Sequence, residues 1–338
     1  MSLHQLPRLP FAHLPTPLEE MPRLSEALGG PQLWIKRDDQ TGLAMGGNKT
    51  RKLEFLIADA LEQGATVVVT GGALQSNHCR QTAAAAGRAG LGCALVLGGE
   101  APATPNGNLF LDQLLGAQIH WSGPERRGER LQGIFRALQE KGERPYLIPY
   151  GGSNPIGATG YVLAMQELKE QLNERGLEMD RIVVASSSGG TQAGMVVGAA
   201  AAGIDAEIIG IAIDKGEGAD PHAVQLARLA TETAEHIGLD RTFTPDDFSL
   251  DDNYLGGGYG IVGKLEREAI HLAARHEGLL LDPVYTGRAM GGLVDLIRQG
   301  SIPPDETILF WHTGGTPALF AYVEELQGRD STTPPTRS

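Results

Sequence analysis

The sequence predicts an α/β fold of two domains, each with a mostly parallel sheet flanked by helices. Three observations lead there. Short β-branched runs alternate with longer helical stretches. The runs are apolar on both faces, as strands covered on both sides of a parallel sheet must be. There are more of them than one small open sheet usually holds, so a cleft between two domains is the expected place for a site. In chain order the expected strands are Leu33–Lys36, Thr66–Thr70, Ala94–Leu97, Gln118–Trp121, Tyr146–Pro149, Ile182–Ala185, Ile208–Ala212 and Ile308–Trp311. Helical stretches are expected at Lys52–Gln63, Thr82–Ala89, Arg126–Glu140, Ala158–Asn173, Gln192–Ala202 and Leu265–His276. No internal repeat is visible, and the Pro- and Thr-containing tail from Gly328 to Ser338 is expected to be loose.

Composition narrows the function. The chain has 338 residues, 41% hydrophobic and 20% charged, with 46 glycines, a soluble globular profile rich in tight turns. Only 28 basic residues face 41 acidic ones, a net charge of −13, which argues against nucleic acid as a partner. Cys79 and Cys93 form neither a C-x-x-C pair nor a disulfide framework; free thiols in a reducing compartment and no metal centre are expected. The first thirty residues hold Arg8, Glu19, Glu20, Arg23 and several prolines, so no signal peptide is expected. The most apolar stretch, Ala193 to Ile213, is broken by Asp205 and Glu207 and reads as a buried helix and strand rather than a membrane span. The cytoplasm is the expected location.

Five segments carry chemistry. In Gly46-Gly47-Asn48-Lys49 the glycines allow a sharp bend and close approach of a ligand, and Lys49 sits where a helix begins. Desolvation and a helix N-terminus both lower an amine's pKa toward a nucleophile, although a lysine in such a loop is by itself more often a solvated surface residue. Thr70-Gly71-Gly72-Ala73-Leu74-Gln75-Ser76-Asn77-His78 joins a strand to a helix and suits a carboxylate or a ring hydroxyl, or simply a Ser/Asn cap. Ser186-Ser187-Ser188-Gly189-Gly190-Thr191 opens a small-residue helix and suits a single phosphate. It has neither the Lys-Ser/Thr of a P-loop nor dinucleotide glycine spacing. Asp282-Pro283-Val284-Tyr285-Thr286-Gly287 offers Tyr285 to stack on a flat ring. His312-Thr313-Gly314-Gly315 follows a strand end and offers Thr313 to a ring nitrogen.

Together these segments resemble the pyridoxal-phosphate enzymes of the tryptophan-synthase-β type (fold type II), in the branch containing 1-aminocyclopropane-1-carboxylate (ACC) deaminase and D-cysteine desulfhydrase. Gly-Gly-Asn-Lys-Thr-Arg-Lys-Leu-Glu at 46–54 carries the resemblance, supported by Gln-Ser-Asn-His at 75–78 and Asp-Pro-Val-Tyr at 282–285. It spans roughly residues 10 to 325. It implies pyridoxal 5′-phosphate held as an imine on Lys49. The implied cofactor site is Lys49, Lys52, Asn77 (at the ring hydroxyl), Ser188, Gly189, Gly190, Thr191, Tyr285 (stacked on the ring) and Thr313. The implied catalytic set is Lys49, Ser76, Tyr259 and Tyr285. Gln75, Ser76, Asn77, His78, Tyr259, Thr286, Thr313 and Gly314 are the implied substrate contacts, with Ser76 at the carboxylate. The resemblance further implies a small domain over residues 50–160, a large domain over 1–49 and 161–338, and a homodimer.

One departure selects among activities. ACC deaminases carry Glu at the place of Thr286 and Leu at the place of Thr313. A hydroxyl holds a protonated ring nitrogen less firmly than a carboxylate, which suits expulsion of a good leaving group better than opening of a cyclopropane. The expected reaction is β-elimination on a small amino acid, D-cysteine giving pyruvate, ammonia and sulfide, with Lys49 removing the Cα proton. The alternatives, in decreasing order, are an L-cysteate sulfo-lyase, an ACC deaminase and a non-catalytic cofactor-binding protein.

Overall fold

The computed structural model describes residues 6–123, 130–214 and 220–328. In chain order its strands are Leu18–Glu20 (β1), Gln32–Arg37 (β2), Val67–Gly72 (β3), Gly92–Leu97 (β4), Gln118–Trp121 (β5), Pro145–Leu147 (β6), Arg181–Ser186 (β7), Glu207–Ala212 (β8), Ser249–Asp251 (β9) and Thr307–His312 (β10). They make two sheets. The smaller runs β5-β4-β3-β6 and is parallel throughout. The larger runs β1-β2-β10-β7-β8-β9, parallel except for the antiparallel β1 edge. The short edges β1 and β9 lie outside the expected strands. Three-residue segments such as Leu-Glu-Glu and Ser-Leu-Asp are too brief to show a pattern.

The helices are Pro22–Leu28 (α1), Lys49–Glu62 (α2), Asn77–Arg88 (α3), Gly107–Leu114 (α4), Leu131–Glu140 (α5), Pro155–Arg175 (α6), Gly190–Ala202 (α7), His222–Ile237 (α8), Lys264–Glu277 (α9), Thr286–Arg298 (α10) and Val323–Leu326 (α11). Of the expected helix Arg126–Glu140, residues 126–129 lie outside the described residues, as does the tail beyond Gly328. Three helices begin three or more residues earlier than apolar periodicity suggests: α2 at Lys49 rather than Lys52, α3 at Asn77 rather than Thr82, α6 at Pro155 rather than Ala158. The extra first turns of α2 and α3 are mostly polar and that of α6 is Pro-Ile-Gly, so none carries an apolar stripe. They are stabilised by caps: Ser76 Oγ accepts from Cys79 N at 3.2 Å, and Asn154 Oδ1 accepts from Gly157 N at 2.9 Å ahead of Pro155.

The small sheet packs Val68, Leu95 and Leu97 against Leu53, Leu56 and Ile57 of α2 and the alanines of α3. The large sheet buries Ile35, Val183 and Phe310 against α9 and α10 on one face. On the other it buries Ile182, Leu309 and Trp311 against Tyr161, Met165 and Leu168 of α6.

A buried polar knot ties α2 to the large sheet. The Arg51 guanidinium donates to both oxygens of Asp38 (2.9 Å each) and both of Glu167 (2.9 and 3.0 Å). Tyr161 Oη (2.6 Å) and Trp311 Nε1 (2.9 Å) also donate to Asp38. Lys36 Nζ reaches Glu167 at 2.5 Å and the Thr16 carbonyl at 2.7 Å. Burial raises a carboxyl's pKa, but Arg51 and Lys36 overcome it and hold Asp38 and Glu167 below the ordinary carboxylate range. Arg51→Ala should cost about 3–5 kcal/mol of stability, because buried Asp38 loses its hydrogen-bonded counter-charge and Glu167 keeps only Lys36. Equilibrium urea unfolding checks this. A loss under about 1 kcal/mol, the size of an exposed pair, would contradict it.

Candidate active site

The carboxyl ends of the parallel strands face a cleft of about 760 Å³ between the two sheets. Open α/β sheets place sites at such ends, because the loops following the strands carry the first turns of the next helices. Lys49, Gln75, Ser76, Asn77, His78, Ser188, Gly189, Thr191, Tyr259, Tyr285 and Thr313 all line it, although they are drawn from six separate segments.

Lys49 is the first residue of α2. The loop before it is shaped by glycines: a Cβ on Gly46 (φ +69°) would lie 2.0 Å from the Asp39 carbonyl, and one on Gly47 2.5 Å from Gln81 Nε2. Asn48 N donates to the Thr313 carbonyl (3.0 Å) and Asn48 Nδ2 to Thr191 Oγ1 (3.0 Å), joining the lysine loop to the end of β10 and to α7. Lys49 Nζ donates to the Gly151 carbonyl at 3.3 Å, and burial pulls its pKa down to about 8. Lys52, one turn on, donates to the same carbonyl at 3.1 Å. Burial and the neighbouring Lys49 push Lys52 well below its ordinary pKa.

The turn from Ser187 to Thr191 lies against both amines. Gly190 N donates to Ser153 Oγ (3.1 Å), whose hydroxyl meets that of Ser188 (2.8 Å). A Cβ on Gly190 would fall 2.7 Å from Ser153 Oγ and 2.9 Å from Lys52 Nζ, so only glycine leaves room there. Neither lysine is ion-paired with a carboxylate among the described residues. Two desolvated amines beside a hydroxyl-lined helix N-terminus fit a phosphate.

On the opposite wall, Ser76 caps α3 through its lone pair, which leaves its hydroxyl proton free to donate. Asn77 Oδ1 accepts from Arg80 Nη1 (3.2 Å) and Asn108 Nδ2 (2.8 Å), so its Nδ2 is the free end of the amide. Thr70 gives its one hydroxyl proton to the Ile148 carbonyl (2.9 Å). The 3.0 Å contact between Thr70 Oγ1 and His78 Nε2 therefore has the ring as donor. Burial lowers the His78 pKa well below its ordinary value, with both lysines adding to the effect, and the ring is neutral.

Tyr259 and Tyr285 meet through their hydroxyls at 2.6 Å, edge to face with ring centroids 5.9 Å apart. Burial raises both phenols above their usual pKa, so the pair stays protonated near neutrality. The Tyr259 loop is pinned by Arg288, which donates to the carbonyls of Gly258 (3.0 Å) and Ile261 (2.9 Å) and pairs with Glu266 at 2.7 Å.

Some expected site residues sit off the cleft wall or spend their polar groups elsewhere. Lys52 and Gly190 stand behind the phosphate-type turn rather than on the cleft wall. Thr286 is fully buried and spends its hydroxyl on Asp282 Oδ1 at 2.8 Å. The Gln75 amide serves the start of α4, accepting from Asn108 N (2.8 Å) and donating to Asn106 Oδ1 (3.1 Å). Gly314 (φ +86°) packs on Gly47, where a Cβ would come within 2.7 Å of the Gly47 Cα. Sequence reasoning passed over Asn48, Gly151 and Ser153. The run Tyr150-Gly151-Gly152-Ser153-Asn154-Pro155, with positive φ at both glycines, was the available signal.

The fold and these residues define a class. The profile of the pyridoxal-phosphate-dependent enzyme family matches residues 9–314, and the chain belongs to that family. Within it, the chain is 45% identical over 334 residues to the D-cysteine desulfhydrase of Salmonella typhimurium, covering 95% of this chain and 99% of that one. It is 44% identical over 332 residues to the D-cysteine desulfhydrase of Klebsiella pneumoniae, covering 96% and 99%. A crystal structure described as an ACC deaminase homologue superposes with a TM-score of 0.87 at 38% identity, over 97% of this chain and 98% of that one. A fungal L-serine ammonia-lyase from Rhizomucor miehei, 18% identical with a TM-score of 0.67, covers 94% of this chain and 99% of its own and shares the fold.

An amine of pKa about 8 is free base in roughly one molecule in ten at pH 7, against one in thousands at the ordinary value. Capture of added pyridoxal phosphate by cofactor-stripped protein should therefore accelerate about tenfold per pH unit below 8 and level off above it. Stopped-flow absorbance reads this. A rate still climbing at pH 10 would place the amine in solvent instead.

Proposed function

We infer that this protein is a pyridoxal-phosphate-dependent carbon–sulfur lyase that converts D-cysteine and water to pyruvate, ammonia and hydrogen sulfide. The observation that carries the reading is the depressed Lys49 amine, set between the Ser188–Thr191 turn and the hydroxyl-bearing Ser76 cap. Near full-length similarity to proteins named D-cysteine desulfhydrase supports the substrate. Lys49, Lys52, Ser188, Gly189, Gly190 and Thr191 would hold the cofactor's aldehyde and phosphate ends. Asn77, Tyr285 and Thr313 would meet its ring. When bound, the cofactor withdraws the electron pair left at the substrate Cα.

The side chains supply the rest. Ser76 Oγ–H and the first-turn N–H groups of α3 orient the substrate carboxylate. Lys49, as free amine, takes the Cα proton, and its depressed pKa keeps that form populated near neutral pH. The Tyr259–Tyr285 pair, protonated and hydrogen-bonded, faces the cleft and can deliver a proton to the departing sulfur. His78 offers no charge, because its ring is neutral. Among the described cleft-lining residues Lys49 is the cation and Asp214 the carboxylate, a lining better suited to a thiol than to the sulfonate of L-cysteate. Thr286 stands where ACC deaminases carry glutamate, and its buried hydroxyl is committed to Asp282, which supports elimination over ring opening.

In this reading residues 50–160 form the small domain, and 1–49 with 161–338 the large one. That boundary falls inside the unbroken α6, where Ile156 touches the small core and Tyr161 onward packs under the large sheet. We place the enzyme in the cytoplasm. Its two cysteines are buried free thiols, and no described helix is long and apolar enough to cross a membrane. We also propose a homodimer, supported by exposed Phe110, Leu114 and Phe320. Sedimentation equilibrium should give twice the chain mass, and a monomer at micromolar concentration would overturn this.

Lys49→Ala should abolish the visible absorbance of the bound cofactor and lower turnover about 10³-fold or more. Pyruvate release measured on D-cysteine, L-cysteine, L-cysteate, D-serine and ACC should be fastest on D-cysteine. Retained turnover in the variant, or faster release from L-cysteate or ACC, would refute the assignment.

A further inference from the structure

Three buried arginines surround the cleft, and they are not alike. Arg51 and Arg288 each meet a carboxylate, Asp38 at 2.9 Å and Glu266 at 2.7 Å. Arg80, on α3, is equally buried at 0% exposure yet pairs with no carboxylate among the described residues. Burial lowers its pKa to about 10. A desolvated guanidinium with no carboxylate in hydrogen-bond contact is costly, even though Asp112 and Asp282 act on it at longer range, so stability alone does not account for it.

Its hydrogen bonds do. Nη1 donates to Asn108 Oδ1 (2.5 Å) and to Asn77 Oδ1 (3.2 Å), and Nη2 donates to the Gly46 carbonyl (2.7 Å). A guanidinium is donor-only, so each amide turned toward it must present oxygen. With its oxygen on Arg80, Asn108 has only Nδ2 left for other partners. That nitrogen donates to Asn77 Oδ1 (2.8 Å) and to the Gln75 carbonyl (2.9 Å). Two donors thus converge on Asn77 Oδ1, and Nδ2 is left as the end presented to the cleft. Flipping the Asn77 amide would lose both bonds and set N–H groups against N–H groups. The same guanidinium holds Gly46, three residues before Lys49.

We propose that Arg80, through Asn108, is a positioning residue that fixes the polarity of the Asn77 amide, so that the cleft offers a hydrogen-bond donor to an anionic aryl oxygen. This rests on the reading that Asn77 meets the hydroxyl of the cofactor ring. An amide nitrogen there stabilises a phenolate-type oxygen, and an amide oxygen repels it. The charge on Arg80 also polarises Asn77, strengthening its N–H as a donor. The second bond, to Gly46, keeps the donor and the Lys49 amine in one rigid frame.

Asn108→Asp tests this. The new carboxylate pairs with Arg80 and presents only acceptors to Asn77, whose amide then turns its oxygen to the cleft. In the purified holoenzyme, affinity for pyridoxal phosphate should fall about tenfold or more, the cost of one charge-assisted hydrogen bond. The pH at which the visible cofactor band titrates should rise. Arg80→Lys should move both readings in the same direction, and the milder Asn108→Ala by less. Asn77→Ala should reproduce the shift, and adding Asn108→Asp to it should change neither reading further. Additive effects, or unchanged readings in an Asn108→Asp protein whose cofactor-free unfolding midpoint is intact, would overturn the role of Arg80. If Asn77→Ala itself moved neither reading, the ring-hydroxyl assignment would fall together with the proposal.

Discussion

Asp38, Arg51 and Glu167 are desolvated charges from three different elements, and each is tolerable only in the company of the others. Arg51 lies two residues beyond Lys49 on α2, while Asp38 follows β2 and Glu167 sits mid-way along α6. The knot therefore docks the reactive end of α2, a helix whose apolar face belongs to the small sheet, onto the large one. Without it, the amine and the Ser187–Thr191 turn would be carried by separately cored layers and their separation would be loosely set. The clustering of carboxylates and cations serves position more than net stability, since buried ion pairs gain little over well-packed apolar groups.

The chemistry of the cleft follows from a charge imbalance held in a low-dielectric space. Lys49 and Lys52 share the Gly151 carbonyl and have no carboxylate partner among the described residues. The histidine, the paired phenols and the serine hydroxyls that share the cleft with them carry no counter-charge. Such a site is costly when empty and favourable once a dianionic phosphate arrives, because the ligand brings the missing counter-charge. The same desolvation keeps a fraction of Lys49 as free amine, so in the proposed mechanism one physical cause would serve both cofactor capture and proton transfer.

Much of the site was legible from residue types. Glycines flanked by serines after a β-branched strand, or glycines ahead of a lysine, signal close approach and an anion, and both turns do face one cleft. Thr286 and Gln75 were harder. The Thr286 hydroxyl is spent on Asp282, four residues back at the start of α10, and the Gln75 amide on the Asn106–Asn108 turn, a partner chosen by packing rather than by sequence neighbourhood. Arg80 and Asn108, 28 positions apart, meet at 2.5 Å with nothing local to mark the pair. The early starts of α2, α3 and α6 escaped periodicity because their first turns carry no apolar stripe and are held by caps or by tertiary bonds.

The sequence by itself determined the parallel α/β class and the glycine-and-hydroxyl turns suited to an anion. These rest on local rules: strand runs apolar on both faces, glycine at positive φ, and small hydroxyl residues at helix starts. Tertiary structure alone decided which amide end faces the cleft, which hydroxyls remain free to donate, and how far the Lys49 amine is depressed. Those properties depend on desolvation and on donor-to-acceptor pairing between segments distant in the chain, and no local pattern records either.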